Sequence, residues 1–173
     1  MTTDARSMWG EAIAWLEEHY KEFTFFAERD VVWTVQCFLI ERLRDCGLAY
    51  QVFNDYPILP GSRRSISCDL AIVSQDGTVE LATEFKYEPW HTRTDILPGK
   101  LPVVYWGKEG VGKDVLRIGE FVAKGVAKEG YAVFVDEGGY FRKRAPHPGS
   151  EWTQWSSGPW ALISHVAPEA DVQ

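Results

Sequence analysis

The chain has no apolar run approaching the roughly 20 residues that span a bilayer. Its first residues, MTTDARSMWGEAIAW, lack the charged and apolar regions of a signal peptide. Cysteine is scarce: Cys37, Cys46 and Cys68 are odd in number and include no CxxC pair, which argues against a disulfide framework. The histidines, His19, His91, His147 and His165, show no zinc-binding spacing. Basic charge is also short. With 18 Lys and Arg against 25 Asp and Glu, the net charge is −7, whereas proteins that hold nucleic acid by bulk electrostatics are usually basic. No repeat, low-complexity tract or linker interrupts the chain. These absences predict a cytoplasmic single domain over residues 1–173 with no membrane partner. Any nucleic-acid contact has to be local, metal-assisted or supplied by a protein partner.

What is present suits a packed core. Aromatic residues make up 14% of the chain, with eight tryptophans, too many for a disordered segment. Asp4 is placed to cap a helix over 4–20 that carries Trp9, Ile13 and Leu16 on one face. A second helix over 26–45 has the stripe Val32, Val35, Leu39, Leu43, with Gly47 just past its end. Strands are expected over 48–59, 65–74 and 78–88, the last two joined by an Asp-Gly turn at Asp76-Gly77. A short apolar run follows at 103–106. An amphipathic helix spans 113–129, a buried strand 131–136, and a further strand 140–144. The Trp-rich tail, 137–173, reads as a strand or covering segment around a core at 25–136, with residues 1–24 as an N-terminal helix. The fold class is therefore α/β, with a mixed sheet and a crossover helix before the last core strand.

Chemistry gathers on the strand 78–88. Alternation puts Glu80, Glu84, Lys86 and Glu88 on one face and Val79, Leu81, Thr83, Phe85 and Tyr87 on the other. A Glu-x-Lys triplet alone is common, and its plain meaning is a solvated face with a weak ion pair. Asp69, however, opens the strand that hairpins onto Glu84. Two carboxylates at one spot repel, and a divalent cation relieves the repulsion. Such a cation polarises a phosphoryl oxygen and acidifies bound water. Lys86 is then placed to orient or deprotonate that water, or to stabilise charge on the phosphate. Glu28 falls in line with the apolar stripe of the second helix, where an acid is costly unless paired. Its alternative role is to sit in the first turn and complement the helix dipole.

In this arrangement, Glu28 in "AERDVVW", Asp69 in "SCDLAIV" and Glu84 with Lys86 in "LATEFKYEP", the chain resembles the PD-(D/E)XK phosphodiesterase superfamily over about residues 25 to 136. The resemblance implies a restriction-endonuclease-like α/β/α sandwich and an Mg²⁺- (or Mn²⁺-) dependent nuclease acting on DNA or RNA. It assigns Asp69 and Glu84 to the metal, Lys86 to the attacking water and Glu28 to an auxiliary role. One departure is Cys68, where the motif has proline. The superfamily also contains members that have lost activity. The rival expectation is therefore a silent domain of the same fold, a binding or assembly module with a protein partner or a second copy of itself. A third is an unrelated α/β binding protein with a chance triplet.

Other features compete for attention. Gly107 to Asp114, "GKEGVGKD", nearly matches the phosphate-binding loop G-x-x-x-x-G-K-S/T, but Asp114 stands where the hydroxyl is needed. Arg63, Arg64, Arg93, Lys100 and Lys113 are candidates for phosphate contacts, or else solvated charges. Trp152, Trp155 and Trp160 suit base stacking or, more simply, the core. The cysteines are expected to be buried.

Overall fold

The computed structural model describes residues 4–96 and 104–168. Helix α1 (Ala5–His19) runs into a single 3-10 turn (Tyr20–Glu22) and then helix α2 (Glu28–Asp45). Strands β1 (Tyr50–Leu59), β2 (Ile66–Ser74) and β3 (Val79–Glu88) follow, then α3 (Val111–Ala123), β4 (Glu129–Asp136), β5 (Ser150–Gln154) and β6 (Trp160–Val166). The strands form one open mixed sheet in the order β1-β2-β3-β4-β6-β5. Only the β3–β4 pair is parallel, because α3 carries the chain back across the sheet between them.

Each face of the sheet has its own apolar layer. Leu70, Ile72, Leu81, Phe85, Tyr87, Val133 and Val135 pack against Trp9 and Leu16 of α1 and Val32, Val35 and Leu39 of α2. The opposite residues of β2 and β3, Ala71, Val73 and Ala82, pack against Phe121 of α3. The two-residue alternation of a strand explains this division. One residue departs from the expected parity. Val79 joins the α3 layer, because the ladder slips between Ile72–Leu81 and Val73–Val79.

Helix α1 begins as its sequence predicts, and α2 begins at Glu28 rather than at 26. Asp4 Oδ1 accepts from Ser7 N at 2.8 Å, and Ser7 Oγ accepts from Asp4 N at 2.9 Å, a reciprocal cap. Asp30 Oδ2 accepts from the N–H groups of Phe26 and Ala27 at 2.8 and 3.0 Å. That clamp fixes the entry to α2 one residue before Glu28.

Two further boundaries differ from expectation. Helix α3 ends at Ala123 rather than 129, because Gly125 takes a left-handed φ of 67° and closes the helix. Residues 140–144 form a turn, not a strand: the Asp136 carboxylate accepts from Phe141 N at 2.7 Å and folds the chain back. The missing strand pairing comes instead from the tail, where β6 lies antiparallel to β4 and β5 covers its outer edge. Residues 104–106 form no strand, and residue 103 lies outside the described residues. Trp155 is buried against Tyr20, and Trp152 stacks on Trp106, so two of the three tail tryptophans serve packing. Two cysteines depart from expectation: Cys37 and Cys46 are exposed, and only Cys68 is buried. Among the described residues no helix is long and apolar enough to cross a membrane.

The β2–β3 turn has a measurable signature. Asp76 accepts from Ser74 Oγ at 2.6 Å and Thr78 N at 3.0 Å, and these bonds pull its pKa down to about 2. A depressed carboxyl contributes stability above its unfolded value of 3.8, and that contribution is lost as pH falls through about 2. Side-chain NMR titration is expected to place the Asp76 midpoint near 2, and Asp76→Ala to lower the melting temperature at neutral pH by an amount that shrinks on acidification. A midpoint near 4 would contradict the turn geometry.

Candidate active site

Six charged side chains from four elements meet around the second half of β3. The β2–β3 ladder pairs Leu70 with Thr83, and no pairing is made at Asp69. There the Asp69 carboxylate substitutes for a backbone acceptor: Oδ2 accepts from Phe85 N at 2.7 Å. Asp69 is thereby held beside Glu84. The ladder between β1 and β2 behaves alike, pairing Asn54 with Leu70 and Tyr56 with Cys68 while passing over Asp55 and Asp69. Asp55 has a positive φ of 48°, uncommon for a residue other than glycine.

Lys86 reaches two helices. Its Nζ lies 2.9 Å from Glu28 Oε2 on α2 and 3.3 Å from Asp114 Oδ2 on α3. Both contacts are ion pairs, and the one to Asp114 reaches a buried oxygen. Glu84, 2% exposed, receives Arg117 Nη1 at 3.0 and 3.1 Å from its two oxygens. Glu28, Asp69 and Lys86 line a cleft of about 580 Å³, together with Asn54 and Asp55 of β1. Glu84 and Asp114 do not open onto it.

The four expected residues are thus brought together, and two more join them. Asp114 and Arg117 went unrecognised in the sequence because Asp114 reads there as a flaw in a phosphate-binding loop. Their signal was available: Asp114, Arg117, Ile118 and Phe121 fall at i, i+3, i+4 and i+7, one helix face, and Asp114, Ile118 and Phe121 are buried. Two glycines of that loop, Gly110 and Gly112, serve packing. A Cβ on Gly110 would meet the Tyr105 carbonyl oxygen at 1.8 Å, so this backbone approaches its neighbour too closely for any side chain.

Other expected contact residues have different placements. Arg93 is taken up inside the fold, its Nη1 donating to Phe25 O and the Tyr87 hydroxyl and its Nη2 pairing with Asp95 at 2.6 Å. That network leaves its side chain 11% exposed, which removes it from a phosphate-contacting rim. Lys113 is exposed at the start of α3, Arg63 and Arg64 are exposed on the β1–β2 turn, and Lys100 lies outside the described residues. His91 pairs with buried Glu88 and stacks on Tyr140.

The electrostatics follow from composition. Glu28, Asp69, Glu84 and Asp114 are four acids, against the two cations Lys86 and Arg117, which leaves two negative charges when all are ionised. Burial raises the pKa of all four acids. For Glu84, burial and then the neighbouring Asp69 push it up to about 9, against the pull of Arg117. Burial works to lower Lys86, but the Asp114 and Glu28 carboxylates prevail and raise it. Cys68, beside the same acids, is pushed up to about 12, by burial first.

The oxygen-only donor set fits a hard divalent cation in chemistry. Among the described residues no three His, Cys, Asp or Glu side chains are arranged at metal-holding geometry. No protein-family model, curated protein or solved structure matches the chain.

A carboxyl with a raised folded pKa makes the folded state bind more protons than the unfolded one. Its stabilising contribution is complete below the unfolded value of 4.5 and is lost as pH rises through about 9. In the presence of a chelator, the melting temperature is expected to fall as pH rises from about 6 to about 9. Glu84→Gln, which cannot ionise, is expected to flatten that fall. An unchanged slope in the variant would show that Glu84 is not the group responsible.

Proposed function

We propose that this chain is a metal-dependent phosphodiesterase, a DNA or RNA endonuclease with a restriction-endonuclease-like fold. The observation that carries the reading is the convergence of Asp69, Glu84 and Lys86 with Glu28, across four elements, on one open cleft and the buried ground behind it. The order of two helices, an antiparallel three-strand meander, a crossover helix and a parallel fourth strand supports the same fold.

Asp69 and Glu84 would hold Mg²⁺ or Mn²⁺, with Asp114 close by. When bound, the cation supplies Lewis-acid polarisation of a phosphoryl oxygen and a water of lowered pKa. Lys86 keeps its proton, because two carboxylates flank Nζ. It therefore acts as a donor, orienting the attacking water or neutralising charge on the phosphate, and not as the base. Glu28 and Asp114 hold that ammonium in place from opposite sides, so their part in the reaction is positioning.

A second reading, a catalytically silent module, is favoured by one contact. Arg117 already touches both oxygens of Glu84, so the protein's own cation occupies a carboxylate that the reaction needs.

The two readings part in a cleavage assay on plasmid DNA, single-stranded DNA and RNA with Mn²⁺. Wild type is expected to cut at least one substrate. Lys86→Ala and Asp69→Asn should each lower the rate by about 10²–10³, the cost of losing one well-placed transition-state group. Equal cutting by all three proteins would refute the site, and no cutting with retained nucleic-acid binding would favour the silent module.

A further inference from the structure

A second cleft, of about 550 Å³, opens beside the first. It is lined by Arg63 and Arg64 with Ser62, Ser65 and Ser67 from the β1–β2 turn and the start of β2, and by Arg117 from α3. Asp55 lines both clefts, at the kink where β1 loses its pairing to Asp69. In a chain of net charge −7, three guanidinium groups in one hollow are a local reversal of sign. Among the described residues the side chains of Arg63 and Arg64 have no ion-pair partner and Arg117 uses only Nη1, on Glu84. Planar forked donors flanked by hydroxyls match a tetrahedral oxyanion with several acceptors, and phosphate is the biological ligand of that chemistry.

We propose that this second cleft is a phosphate-binding subsite, taking a phosphate of the nucleic-acid strand next to the scissile one. Arg117 is the shared group: in turning from Glu84 to this phosphate it releases the carboxylate that the cation requires. Substrate engagement thereby assembles the metal site, which explains how an acidic cluster closed by its own arginine becomes competent. The nature of the ligand rests on the phosphodiesterase reading, but the existence of an anion site does not.

The test uses inorganic phosphate with the full chain, in chelator and without divalent metal, followed by calorimetry and by NMR of the arginine Nε–H signals. Phosphate is expected to shift the signals of Arg63, Arg64 and Arg117. The double variant Arg63→Ala/Arg64→Ala, on an exposed turn, should weaken binding about tenfold or more, as the loss of two charge-assisted donors requires. Glu84→Gln, which removes the ionic competitor, should tighten it. No phosphate binding, or binding that ignores the double variant, overturns the subsite. Unchanged affinity in Glu84→Gln overturns the exchange by Arg117. If phosphate binds as described but no nucleic acid is cut, the subsite stands and the phosphodiesterase reading falls. If the protein cuts but the double variant binds phosphate normally, the reverse holds.

Discussion

The ammonium of Lys86 lies 2.9 Å from Glu28 on α2 and 3.3 Å from Asp114 on α3. These helices belong to opposite layers of the sandwich, one packed with α1 and the other alone on the far face. One side chain near the end of β3 therefore ties both layers to the sheet. Lys86 and Glu28 are partly exposed but Asp114 is buried, so removing the ammonium would strand the Asp114 charge away from water. The entry clamp of α2 by Asp30, the close backbone approach at Gly110 before α3 and the β3–β4 crossover all serve to bring those two acids to the same ammonium.

The cluster is nonetheless uneven. Four acids face two cations. A purely structural ion network gains nothing from such an excess, since burial already works against every carboxylate in it. The excess makes sense if a cation joins, and the open cleft along Glu28, Asp69 and Lys86 gives it a way in. The neighbouring arginine-lined cleft places the opposite sign within reach of the same site. Acid for a metal beside base for a phosphate is the division of labour that the proposed phosphodiester hydrolysis would need.

Much of this was legible in the residues. The stripe Val32, Val35, Leu39, Leu43 is wholly buried, and the Asp-Gly hairpin forms where its turn chemistry predicts. Asp69, Glu84, Lys86 and Glu28 converge because strand parity and helix phase are local rules that survive folding. What stayed hidden depends on contacts distant in sequence. Helix phase places Arg117 on the inward face, but its partner Glu84 comes from β3, which the local pattern of α3 does not report. Asp136 turns residues 140–144 into a bend by accepting from Phe141 N, which no strand propensity reports. Arg93 looks like a free loop charge, yet Phe25, Tyr87, Asp95 and Glu137 claim it from four directions.

The proposed cation site at Asp69 and Glu84 is tested by Mn²⁺ titration in a calorimeter, wild type beside Asp69→Asn. Wild type is expected to bind at a single site, with proton release as the buried acids ionise, and the variant to lose that binding. No binding to wild type at millimolar Mn²⁺, or equal binding to both proteins, would contradict it.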